Sequence, residues 1–166
     1  MDTQPKYKAQ SSSAFFADGA AMRPPVPGTV AQGADESDSR YYRGQEPDGR
    51  PVQQAPVNLT LTTLQRGRER FNIYCSPCHS KLGDGQGIMI KRGYVPPPSF
   101  HDDRLRRMED GTVFNVITNG IRNMPSYRHQ IPVQDRWYIV QYVRALQRSQ
   151  NATLTDVPDN LRTSIK

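Results

Sequence analysis

The chain has 166 residues, 35% of them hydrophobic, with 14 Pro and 12 Gly, so it can build one modest core but hardly one that spans its whole length. Its net charge of +6 is unevenly placed: residues 58–150 hold 14 Lys and Arg against 7 Asp and Glu, while both flanks are close to neutral. The arginines are scattered and no nucleic-acid-reading motif accompanies them, which excludes nucleic acid in favour of docking to an acidic protein face or simple solubility.

Residues 1–57 are rich in Pro, Gly, Gln, Ser and charge and show no sustained period of 2 or 3.6, so they read as an extended, largely irregular N-terminal arm. The start, Met1-Asp2-Thr3-Gln4-Pro5-Lys6, has no apolar stretch of the kind a secretory signal needs. Two islands interrupt the arm, Ala14-Phe15-Phe16-Ala17-Asp18-Gly19 and Met22-Arg23-Pro24-Pro25-Val26-Pro27-Gly28. Aromatic residues and a proline run in a polar arm suit a strap that orders on a partner surface.

From Asn58 the pattern changes, and residues 58–150 are expected to form one helical domain. Thr60 or Thr62 can cap a helix carrying Leu61, Leu64 and Phe71, with Gly67 on the side of Phe71. A glycine within a helix costs about 1 kcal/mol relative to alanine, so a close backbone contact is expected there. Pro77 removes an amide donor, so regular helix should falter near Tyr74 to Ser76.

Cys75-Ser76-Pro77-Cys78-His79 follows, and it uses both cysteines of the chain. On a helical turn, positions 75, 78 and 79 project to one side, so two thioether bonds and one iron ligand can meet a single porphyrin. The stretch therefore reads as a c-type haem attachment site, with Cys75 and Cys78 adding to the haem vinyl groups and His79 as proximal ligand. A redox CxxC would sit in a strand-helix alternation that the chain lacks, and a zinc site would need a second ligand pair.

Gly83-Asp84-Gly85-Gln86-Gly87 suits a tight loop passing the porphyrin edge, and Tyr94-Val95-Pro96-Pro97-Pro98-Ser99-Phe100 a stiff extended segment whose Pro98 carbonyl could accept the His79 ring N–H. A short solvated helix is expected over Asp102 to Met108. Asp110 can cap another, with Val113, Phe114 and Ile117 inward and a stop at Gly120. Met124, in a loop before Pro125, is the candidate sixth ligand: its thioether is a soft donor and Pro125 holds its backbone extended. Met89, Met108, His101 and His129 are the competing donors.

A last helix over about Val133 to Gln147 carries Trp137, Ile139, Val140, Tyr142, Val143 and Leu146 on a broad apolar face. It is the natural partner for the Gly67 helix, with Tyr138 or Tyr142 against that glycine, and Trp137 is placed to reach a haem propionate. Its apolar run is broken by Gln141, too short to cross a bilayer. Residues 151–166 return to a polar C-terminal tail.

Gly67-x-x-x-Phe71, the haem motif, the glycine loop, Met124-Pro125 and Ile139-x-x-Tyr142 occur in the order of the class I cytochrome c family, which the chain resembles over about 58–148. The resemblance implies an all-α fold around one covalently bound haem c, His79/Met124 ligation and one-electron transfer without bond-making chemistry. A closer resemblance covers the arm. Asp2-Thr3-Gln4-Pro5-Lys6-Tyr7, Phe15-Phe16-Ala17-Asp18-Gly19, Arg23-Pro24-Pro25-Val26-Pro27-Gly28-Thr29-Val30 and Tyr42-Arg43-Gly44 are similar to the long arm of the mono-haem cytochrome subunit of bacterial alternative complex III, a quinol:electron-acceptor oxidoreductase.

That resemblance implies partners: a multi-haem cytochrome subunit as donor, an iron–sulfur subunit, and a terminal oxidase or soluble carrier as acceptor. It also implies a place in the periplasm or on the outer face of the bacterial cytoplasmic membrane, held there by partners or by an upstream lipid anchor. On this reading the chain is a mature or trimmed form. The alternatives are a freely diffusing periplasmic cytochrome c and, in a different class, a haem peroxidase or gas sensor with a vacant or labile sixth site.

Overall fold

The computed structural model, described over residues 4–30, 36–162 and 164, is helical, and its described residues form isolated β-bridges but no named strand. This is the all-α class expected above. Two compact units divide the chain, Met1–Asp35 and Glu36–Lys166. Asp2 and Thr3 of the arm motif lie outside the described residues, as do 31–35, 163, 165 and 166.

Within the first unit the backbone is irregular but locally organised. Ser12 and Ala20 form an antiparallel bridge, with Ser13 N–H donating to the Gly19 carbonyl at 2.9 Å. The Arg23 guanidinium donates to both Asp18 carboxylate oxygens at 2.6 Å and lies 4.3 Å from the centre of the Phe16 ring. Phe15, 86% exposed, stands at the head of this loop with its ring edge-on to Phe16.

In the second unit, α2 (Leu61–Tyr74) starts at Thr60, whose side chain and that of Thr63 cap each other's amides at 3.1 and 2.9 Å. It ends before Cys75, and Pro77 falls in the first turn of the short α3 (Ser76–His79). Proline is tolerated there because the first amides of a helix have no intrahelical partner. α4 (Asp103–Arg106) is brief, α5 (Asp110–Asn119) stops at Gly120, and α6 (Val133–Ser149) follows Pro132.

The core lies between α2, α5 and α6 and contains Phe71, Phe114, Ile117, Trp137, Ile139, Val140 and Val143. α2 and α6 cross at Gly67, where an added Cβ would fall 2.0 Å from the Tyr138 carbonyl oxygen and 3.1 Å from Tyr142 Cβ. The close contact expected from the sequence is therefore present. Arg66 donates to both oxygens of the buried Asp135 at 3.0 and 2.9 Å, tying the same two helices.

Two features differ from expectation. Asp110 occupies the first turn of α5 rather than its cap, which is Glu109; its carboxylate accepts from Ala55 N–H at 2.8 Å and from Arg144 Nε at 2.6 Å. The second difference is that the compact unit begins at Glu36, not Asn58. α1 (Ser39–Arg43), capped by Asp38, leads into Gly44 and Val52, and Val52 is fully buried. Val52 N–H to Gly44 O (3.0 Å) closes this segment on itself, and its carbonyls attach it by accepting from Gly111 N–H at Val52 (2.9 Å), Trp137 Nε1 at Tyr41 (2.7 Å) and Gln141 Nε2 at Val57 (3.0 Å). A Cβ on Gly111 would meet Gly44 O at 2.2 Å.

The tail is locally folded, with a 3-10 turn at Leu154–Asp156 capped by Thr153 and a short α7 (Asp159–Arg162). Among the described residues no helix is long and apolar enough to cross a membrane.

Candidate functional site

The end of α2 aims the chain so that Cys75, Cys78 and His79 share one turn, closed by Cys78 N–H and His79 N–H donating to the Cys75 carbonyl at 3.2 and 2.8 Å. Both thiols are free. Burial, with a smaller contribution from Cys78, pushes the Cys75 thiol up to about 12, so it is held neutral. Burial also draws His79 down to about 4, which leaves a neutral imidazole with a lone pair to donate.

The His79 ring stacks on Phe100, centroids 4.6 Å apart and planes inclined by 13°. Its Nδ1 is buried without a hydrogen-bond partner, so the expected bond to Pro98 is not made. Phe100 was not anticipated from the sequence, where it reads only as the end of the proline segment.

The glycine loop lies on this turn. Gly85 N–H donates to the His79 carbonyl and Gly87 N–H to the Cys78 carbonyl, both at 3.1 Å. Added Cβ atoms would fall 2.3 Å from Pro97 O at Gly85 and 2.2 Å from Pro77 O at Gly87. The close approach these glycines permit is therefore to the attachment turn and the proline segment, whose backbone leaves no room for a side chain.

Met124 sits in the loop between α5 and α6. Gly120 opens it at φ +77°, and Ile121 and Met124 exchange backbone hydrogen bonds at 3.0 and 2.9 Å. A Cβ on Gly120 would stand 2.5 Å from Met124 O. Met124 is half-buried and packs against the core. Three residues on, Tyr127 places its ring 6.2 Å from that of Tyr74, and its hydroxyl is pushed up by burial and then by the Cys75 and Cys78 thiols. The fold thus brings the Met124 loop to the attachment turn.

Of the competing donors, His101 has a ring nitrogen 2.8 Å from Leu82 O, and His129 is exposed. Met108 follows α4 with its carbonyl held by Arg144, and Met89 is half-buried beside the glycine loop. Trp137 is fully buried, stacks on Phe114 at 4.1 Å and uses its indole N–H on Tyr41, so it does not serve a propionate.

Two free thiols and an unpartnered, neutral imidazole on one turn fit a haem attached through thioethers. Among the described residues no three His, Cys, Asp or Glu side chains gather as an all-protein metal cage. Ile88, Tyr94, Val95 and Ile121, each more than half exposed, belong to the segments that flank the turn and Met124, and a flat apolar group would cover such side chains.

The family described as cytochrome c oxidase, cbb3-type, subunit III matches residues 62–143. No curated protein matches the chain. A chain of the Kuenenia stuttgartiensis reducing HAO-like protein complex is similar at 22% identity and a TM-score of 0.47, over 64% of this chain and 54% of that one. The chain spans about half the length of that solved relative. The family match runs from α2 into α6, just under half of the chain, with the attachment turn inside it, and over that stretch the chain is similar to c-type cytochromes.

Proposed function

We propose that Cys75 and Cys78 form the two thioether bonds to a single haem, that His79 is the proximal ligand and that Met124 is the sixth. The observation that carries this reading is the buried His79 imidazole, its Nδ1 without a hydrogen-bond partner, on a turn whose Cys75 and Cys78 lie near Tyr127 of the Met124 loop. When bound, the haem supplies a one-electron couple, and a Met ligand places it higher in potential than a bis-His site. The protein's part is to exclude water from the imidazole, through burial and the Phe100 stack, and to fix the two ligand-bearing segments on α2, α5 and α6. Met124→Ala should abolish the weak near-red sulfur-to-iron band of the oxidised protein, and a band that survives reassigns the ligand to Met89 or Met108.

The finer reading is that this domain is the mono-haem subunit of an alternative-complex-III-type quinol oxidoreductase at the periplasmic face. It would take electrons from a multi-haem cytochrome, beside an iron–sulfur subunit, and pass them to a terminal oxidase or soluble carrier. Support comes from the arm motifs and from the exposure of Phe15, Met22, Val26 and Val30, which suits a segment that docks on partners. Mild detergent extraction of native membranes followed by native-gel separation tests it. Co-migration with a multi-haem cytochrome and an iron–sulfur protein is expected, and recovery of the cytochrome alone and soluble would make it a diffusing carrier.

A further inference from the structure

Arg136 is 5% exposed in the first turns of α6, and among the described residues the carboxylate that favours its charge, Glu36, acts from beyond ion-pair distance. A buried guanidinium without a carboxylate in direct contact is costly unless its hydrogen bonds are well placed. Here they converge on the loop that carries Met124. Nε donates to the Ile131 carbonyl at 3.1 Å, at the loop's far end, and NH1 donates to Thr118 Oγ1 at 2.6 Å, at its near end. The guanidinium carbon also lies 5.1 Å from the centre of the Phe114 ring.

Thr118 continues the clamp. Its hydroxyl, accepting from Arg136, donates to Phe114 O at 2.8 Å, and its carbonyl accepts from Ser126 Oγ at 2.6 Å, two residues beyond Met124. Tyr127 N–H donates to Ile117 O at 3.0 Å, and Ile131 N–H to Tyr127 O at 3.0 Å. Both ends of the loop are thereby fastened to α5 and α6, with the guanidinium fork spanning them.

We infer that Arg136 is a positioning residue for the sixth ligand: acting through Thr118 and Ile131, it holds the 120–131 loop so that Met124 stays on the iron. This rests on the assignment of Met124 as ligand made above. A planar fork with two fixed directions is required, which a lysine ammonium cannot reproduce.

The test uses the full haem-loaded chain with Arg136→Gln, Arg136→Lys and Thr118→Val. The readouts are the near-red band, imidazole titration of the oxidised protein and far-UV helicity. Arg136→Gln should weaken the band and tighten imidazole binding by about tenfold, with helicity retained. Arg136→Lys should give a smaller change in the same direction, and so should Thr118→Val, which keeps the charge and removes one acceptor. If Arg136→Gln does not fold, the other two variants decide. A wild-type band that persists unaltered in the folded variants, with imidazole affinity unchanged, overturns the role of Arg136 alone. Absence of the band in the wild type overturns the Met124 assignment, and this inference with it.

Discussion

Gly67 and Gly111 are positions where a single methyl group decides whether two elements can meet. A Cβ on Gly67 would overlap the Tyr138 carbonyl at 2.0 Å, and one on Gly111 would overlap Gly44 O at 2.2 Å, both against backbone that cannot step aside. Gly67→Ala should therefore destabilise the protein by about 3 kcal/mol, the upper range of overpacking, as read from the urea midpoint of the haem-loaded chain. The need for a glycine at 67 was legible because a helix interior otherwise disfavours it. That at 111 was not, because its partner comes from a segment with no helical or strand period. Asp110 was misread for a related reason: an acidic residue opening a helix resembles a cap, and only the fold shows that Ala55 and Arg144 claim its carboxylate.

Among the elements, α2 and α6 were readable from their apolar spacing, and the capping threonine from its place before that spacing begins. The clasp of residues 36–57 was not, because it attaches through main-chain groups and one buried side chain, Val52, rather than through an apolar stripe. Removing residues 1–35 should leave Trp137 fluorescence and thermal stability unchanged, since the compact unit begins at Glu36. Removing 1–57 should open the Tyr41–Trp137 bond and uncover Phe114, with a large fall in the melting temperature. Val52→Ala, which empties a fully buried site, should cost about 2 kcal/mol. The same element view explains Met124: the loop is irregular, yet α5 and α6 determine where both of its ends lie.

At the scale of the whole molecule, the positive charge of residues 58–150 suits docking on an acidic face, so in the proposed role reduction by a multi-haem donor should slow as ionic strength rises. The arm offers apolar side chains rather than charge. On the proposed assignment to a membrane complex, deleting residues 1–35 should release the chain from that complex with an unchanged visible spectrum, and full retention would reject a docking role for the arm. The placing of Cys75, Cys78 and His79 on one turn was plain in the sequence because it is local to five residues. Phe100, Tyr127 and Arg136 were not, because each acts on a site remote in sequence. The most direct measurement is the intact mass of the native protein, combined with alkylation of its thiols after denaturation. The account predicts the mass of the chain plus one haem, with Cys75 and Cys78 both resistant to alkylation; a chain without the added haem mass and with two reactive thiols would contradict it.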